Sequence, residues 1–119
     1  MARFNVSHFL PLTPAMFQVL VALADGEKHG YAILKEVTRR TGGKVTLRAG
    51  TLYTVIGRFV DDGLIEETDE RPDPSLDDER RRYYRLTERG RAVAVAETER
   101  LTETLAQARA KLAPGARRV

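Results

Sequence analysis

Lys44, Arg48, Thr51, Tyr53, Thr54 and Arg58 crowd into one short stretch and are side chains of the kinds that recognise nucleic acid. Arginine can pair bidentately with guanine, and lysine serves as a point charge on phosphate. Threonine can meet a thymine methyl or a phosphate. Tyr53 has two readings, a half-buried ring with its hydroxyl outward or a DNA contact. Tyr31 has the same two, with a backbone phosphate as its DNA partner. Arg80, Arg81 and Arg82 close a long charged loop, where arginine enters a minor groove, grips the backbone or stands solvated. Catalytic signals are missing. No Ser-His-Asp set, phosphate loop or pair of catalytic carboxylates stands out, so no enzyme is expected. His8 and His29 are the only histidines and there is no cysteine, so no metal, disulfide or cofactor is expected. Asp73, Asp77, Asp78 and Glu79 lack the glycine and closing glutamate of a calcium loop. They read as a flexible acidic loop that discourages non-cognate DNA.

The placement of charge supports a polyanion partner. Across 119 residues the net charge is only +3. Yet Lys28, Lys35, Arg39, Arg40, Lys44, Arg48 and Arg58 are opposed by Glu36 alone, and the run from Asp61 to Glu79 is acidic except for Arg71. Arg80, Arg81, Arg82, Arg85, Arg89 and Arg91 then face only Glu88. A single charge run is ordinarily a solvated surface, but a fold can bring two basic blocks onto one face. The chain has the length of one domain, and 42% apolar residues suffice for a small core. No apolar run approaches the roughly 18 residues of a membrane span, and the N-terminus lacks a signal-peptide core. A cytoplasmic protein is the expectation.

Several elements must position these residues. Leu52, Ile56, Phe59 and Val60 recur on one face of a helix whose other face carries Thr51, Thr54, Val55 and Arg58. Gly63 sits where that helix needs a left-handed stop, and Leu64-Ile65 begins a strand. Thr13-Pro14 predicts an earlier helix, capped by Thr, running through Ala24 and apolar nearly all round. A second helix follows Gly30, with Tyr31, Leu34 and Val37 as its apolar stripe, joined by Ala32 and Ile33, and Gly42-Gly43 as its stop. Lys44 to Leu47 is extended and suits a small strand. Leu64 to Thr68 and Arg82 to Leu86 form a hairpin around the charged loop. Thr87 caps a last helix, where Ala94, Thr98, Leu101, Leu105, Ala108 and Leu112 make a heptad seam. Glu97, Glu99, Arg100, Glu103 and Arg109 lie off that seam.

His29-Gly30-Tyr31, Gly50-Thr51-Leu52-Tyr53, Asp62-Gly63-Leu64-Ile65 and Arg82-Tyr83-Tyr84-Arg85-Leu86-Thr87-Glu88-Arg89-Gly90 follow one another in order. Together they resemble the PadR family of bacterial transcription regulators over roughly Leu12 to Arg91, and the single last helix resembles its shorter subgroup. The resemblance implies a homodimeric winged helix-turn-helix repressor that binds a pseudo-palindromic operator and is released by a small effector. Four departures bear on base preference rather than fold. Thr54 stands where the family often has Pro, Arg48-Ala49 replace a small polar cap, Gly57 interrupts the helix, and Val60 stands in place of Glu.

The expected architecture is mainly α with a small β-hairpin. Residues 1–90 form the N-terminal segment and winged-helix domain, and residues 91–119 the dimerisation helix and tail. Leu101, Leu105, Ala108 and Leu112 are the expected dimer contacts. Phe4, Phe9 and Phe17 are the aromatic candidates for holding a small aromatic effector, if the N-terminal segment crosses the dimer centre. Double-stranded operator DNA and a second copy of the chain are the expected partners. The competing function is a protein-interaction module on the same scaffold, which steep salt dependence of binding would exclude.

Overall fold

The computed structural model describes residues 3–68 and 82–114. A short 3-10 turn (Val6–Phe9) precedes α1 (Pro14–Ala22), β1 (Lys28–His29), α2 (Gly30–Arg40) and α3 (Ala49–Asp61). Then come β2 (Ile65–Thr68), β3 (Tyr83–Leu86) and α4 (Glu88–Leu112). The three strands form one antiparallel sheet in the order β1-β3-β2.

Local chemistry sets most boundaries. The Thr13 hydroxyl accepts from the Met16 amide at 3.1 Å with Pro14 at the first helical position, and the Thr87 hydroxyl accepts from the Gly90 amide at 3.0 Å. At the end of α3, Gly63 takes φ 75°, while its amide donates to the Val60 carbonyl and that of Leu64 to Phe59. This pair of hydrogen bonds closes the last turn and needs a residue at ease with positive φ. Arg48 opens α3 without any side-chain cap, because the Thr46 hydroxyl donates to the Gly43 carbonyl instead. The core is a single cluster in which Leu20, Leu23, Ile33, Leu52, Phe59 and Leu64 are almost fully buried. Its cohesion comes from removing these side chains from water, worth roughly 1.5–3 kcal/mol each.

The structure corrects three expectations. Val60 is 40% exposed, since Leu52, Ile56 and Phe59 already fill the buried arc of α3 and Val60 falls beyond its edge. Tyr31 is 58% exposed; the buried stripe of α2 is Gly30, Ile33 and Val37. Lys44 to Leu47 is not a strand. The Thr41 hydroxyl accepts from the Val45 amide at 3.1 Å, so that amide is unavailable to a ladder. The third strand is instead Lys28–His29, paired with Tyr84 and Tyr83, and two residues carry no periodic signal. Arg80 and Arg81, with the acidic loop before them, lie outside the described residues.

Glu97, off the heptad seam, is 1% exposed. Its carboxylate accepts from the Leu12 amide at 2.9 Å and from the Arg100 guanidinium, tying the N-terminal segment to α4. The Arg100 bonds hold its pKa below the usual carboxylate range; burial opposes them and the Leu12 amide assists. A depressed folded pKa gives stability present above the unfolded value and lost as pH falls through the folded one. Glu97→Ala orphans the Leu12 amide and is expected to cost about 1–3 kcal/mol at neutral pH. Thermal melts of both proteins should converge only as pH falls below the ordinary glutamate value of about 4.3 and through the lower folded one.

Candidate nucleic-acid interface

Three elements meet around His29 and Gly30. The His29 ring nitrogen Nδ1 accepts from the Ala32 amide at 3.1 Å and caps α2. Its ring lies edge-on to Tyr83 of β3 at 5.4 Å between centroids and parallel to Tyr31 at 6.5 Å. From the other side Tyr53 of α3 reaches across. A Cβ built on Gly30 would come within 2.5 Å of the Tyr53 hydroxyl oxygen and 2.9 Å of its Cζ. A side chain at position 30 would meet the hydroxyl end of the Tyr53 ring. Tyr53 remains 49% exposed, but its hydroxyl end lies against α2 at Gly30 rather than outward as the half-buried reading expects. Arg82, next to Tyr83, extends from this junction and pairs with Glu67 at 3.4 Å across the hairpin.

The outward side of α3 is the second part. Arg48, Gly50, Thr51, Thr54 and Val55 line one open concavity of about 540 Å³. The Thr54 hydroxyl donates to the Gly50 carbonyl at 2.9 Å. Its proton is thus committed to its own helix, leaving the methyl group and the oxygen lone pairs to face a partner. Nothing lies within 4 Å of a Cβ built on Gly50 or Gly57. Both glycines leave α3 bare on its solvent side, where no packing in this chain calls for glycine. Arg58 is exposed further along the same side and borders a separate groove of about 420 Å³ with His8, Phe9 and Met16. Lys44 is exposed on the loop before α3. Arg48, Thr51 and Thr54 are thus brought together, Tyr31 and Tyr53 are joined through α2, and Arg58 stands at the far end.

The remaining predicted residues divide in two. Phe4 and Phe9 do come together, with ring centroids 5.6 Å apart and the Arg89 guanidinium 4.9 Å above Phe4. Phe17 packs from α1 against the core. Leu101, Leu105 and Leu112 are 38%, 50% and 80% exposed, and an apolar surface of Leu105, Ala108 and Leu112 follows the outer half of α4. Sequence reasoning missed the capping role of His29, because histidine is not among the usual N-cap residues.

A family description of the PadR-like transcriptional regulators matches residues 19–96. The chain belongs to the PadR-like family. Solved structures agree in fold. RosR of H. salinarum is 27% identical over 87% of this chain and 83% of its own, with a TM-score of 0.61. A transcriptional regulator from Clostridium thermocellum is 26% identical over 81% and 89%, with a TM-score of 0.64. Bacillus subtilis PadR in complex with operator DNA is 21% identical over 76% and 48%, with a TM-score of 0.59. No curated protein matches the sequence. In this PadR-like chain the motif pieces work in pairs. Gly30 of the first receives Tyr53 of the second. Thr87 of the fourth holds the third, its hydroxyl contacting the Gly63 carbonyl at 2.7 Å and the Leu64 carbonyl at 2.9 Å.

Proposed function

We propose that this PadR-like regulator is a homodimeric, sequence-specific DNA-binding repressor. The outward face of α3 carries the reading. It offers Arg48, Thr51, Thr54 and Arg58 on a helix with no carboxylate before Asp61, and that helix is held rigidly by its buried face. Such a helix fits a major groove, its first residues reaching base edges. Tyr31, Tyr53, Lys44 and Arg82 flank it as backbone contacts, and Arg80 and Arg81 are further candidates from the sequence. Residues 1–90 read DNA and residues 91–119 pair two copies, which makes the operator pseudo-palindromic. The regulator acts by binding rather than catalysis, in the cytoplasm where its DNA lies.

The pairing rests on α4. Its outer half projects Leu101, Leu105 and Leu112 into solvent, in a heptad register that a second copy would cover. Leu105→Glu places a charge in that seam and is expected to give monomers by sedimentation; a variant that stays dimeric would move the interface elsewhere. A small aromatic effector between Phe4, Phe9 and Phe17, close to α4, would act by changing the spacing of the two α3 helices.

The test is a fluorescence anisotropy titration against a labelled duplex from upstream of the chain's own coding region, beside a scrambled duplex of equal length. Tight binding to the first, weak binding to the second and a loss of roughly 10³-fold or more between 50 and 200 mM salt are expected. Equal weak binding to both, repeated with sequences selected from a random pool, would favour a protein partner.

A further inference from the structure

Tyr31, Lys35 and Arg39 lie at i, i+4 and i+8 on α2, which places them in one row, and all three are exposed. The row is built rather than merely basic. Lys35 Nζ sits 5.4 Å above the Tyr31 ring, and that ring lies parallel to His29 with an interplanar angle of 6°. His29 is itself fixed by its cap bond to Ala32. The lysine therefore approaches any partner from a supported position, with less side-chain freedom to lose on contact. Glu36 is the single acid between Lys28 and Arg58. It is turned toward the other side of α2, where it pairs with Lys28 and with Arg40, and Arg40 in turn bonds Gln18 of α1. Among the described residues neither Lys35 nor Arg39 has a carboxylate partner.

We infer that this row is a second DNA-contacting ridge, which grips successive backbone phosphates beside the groove that α3 enters. The inference rests on the DNA-binding reading of α3 and adds residues that composition alone could not separate from a solvated charge run. The ridge joins the α3 surface at Gly30, where the Tyr53 ring lies on α2. Tyr31 supplies a hydroxyl, Lys35 a point charge and Arg39 a forked donor one turn on. None of them faces into the body of the chain, so the ridge contributes affinity without sequence preference.

The measurement is the salt dependence of binding to a mixed-sequence duplex of about 30 base pairs, a probe that any phosphate-contacting surface engages. Wild type, Lys35→Gln, Lys35→Gln/Arg39→Gln and Glu36→Gln are compared. Each lost phosphate contact lowers the slope of log K against log salt by about 0.9, and a dimer loses each contact twice, so the single variant loses about 2 and the double about 4. The losses should be equal on scrambled DNA. Tyr31→Phe keeps the ring beneath Lys35 and should leave the slope unchanged while weakening binding uniformly. An unchanged slope in the double variant, with wild type binding normally and melting temperatures equal, overturns the ridge and leaves the α3 reading intact. A wild-type protein with no salt-dependent DNA binding overturns both. A slope gain in Glu36→Gln as large as the loss in Lys35→Gln also overturns the ridge, because it would show a response to charge anywhere on α2.

Discussion

Gly90→Ala is expected to destabilise the protein by about 3 kcal/mol or more, at the top of the range for overpacked sites, and to lower its melting temperature by roughly 10 °C or more. A Cβ built at this position would come within 1.9 Å of the Leu64 carbonyl oxygen and 2.8 Å of Leu86 Cδ1. The first of these is backbone and cannot swing aside. It is also already engaged, accepting from the Thr87 amide at 3.0 Å and the Thr87 hydroxyl at 2.9 Å. Relief requires α4 to withdraw from the start of β2, which breaks the bonds that fix the hairpin against the last helix. Gly57→Ala is the matched control. Its Cβ meets nothing within 4 Å and its φ is not positive, so the gain in helix propensity should stabilise by about 0.5–1 kcal/mol. Thermal unfolding of the two variants beside wild type separates a packing glycine from a surface one.

Arg48→Ala combined with Arg58→Ala is expected to reduce operator affinity by about 10³-fold or more while leaving the melting temperature unchanged. Each arginine contact with a base or phosphate is worth about 1–3 kcal/mol, and a dimer loses four of them. Both side chains are exposed and neither makes an ion pair among the described residues, so the fold has no stake in them. The two need not contribute alike. Arg48 lines the concavity with Thr51 and Thr54, while Arg58 borders the groove beside His8 and Phe9. Arg48→Ala alone should relax sequence preference at one position in each half-site, and Arg58→Ala alone should weaken binding more evenly. Anisotropy titrations against operator variants distinguish these patterns. Unchanged affinity in the double variant would remove α3 from the interface.

Helices with strong signals were legible from residue types alone. The Thr13 and Thr87 caps, the Gly63 stop and the buried Leu52–Ile56–Phe59 face lie where local chemistry requires them. What escaped depended on contacts between distant residues. Glu97 looks like any off-seam charge until Leu12, 85 residues earlier, is seen to donate to it. Tyr31 fits an apolar stripe by spacing, yet the space beside Gly30 is occupied by Tyr53 and Tyr31 turns outward. The strand at Lys28–His29 exists only because β3 offers it an edge. Of the candidate interface, the residue types were legible, whereas their grouping around His29 and Gly30 was not, because it joins three separate elements.

The most direct test of the central claim, that α3 presents its outward face to DNA, is amide chemical-shift mapping of the isotopically labelled protein titrated with a duplex selected from a random pool. The largest shifts should fall on Gly50, Thr51, Thr54 and Gly57, with a second set at Tyr31 to Lys35, and α1 should stay silent. Shifts confined to the outer half of α4, with α3 unmoved, would contradict the account.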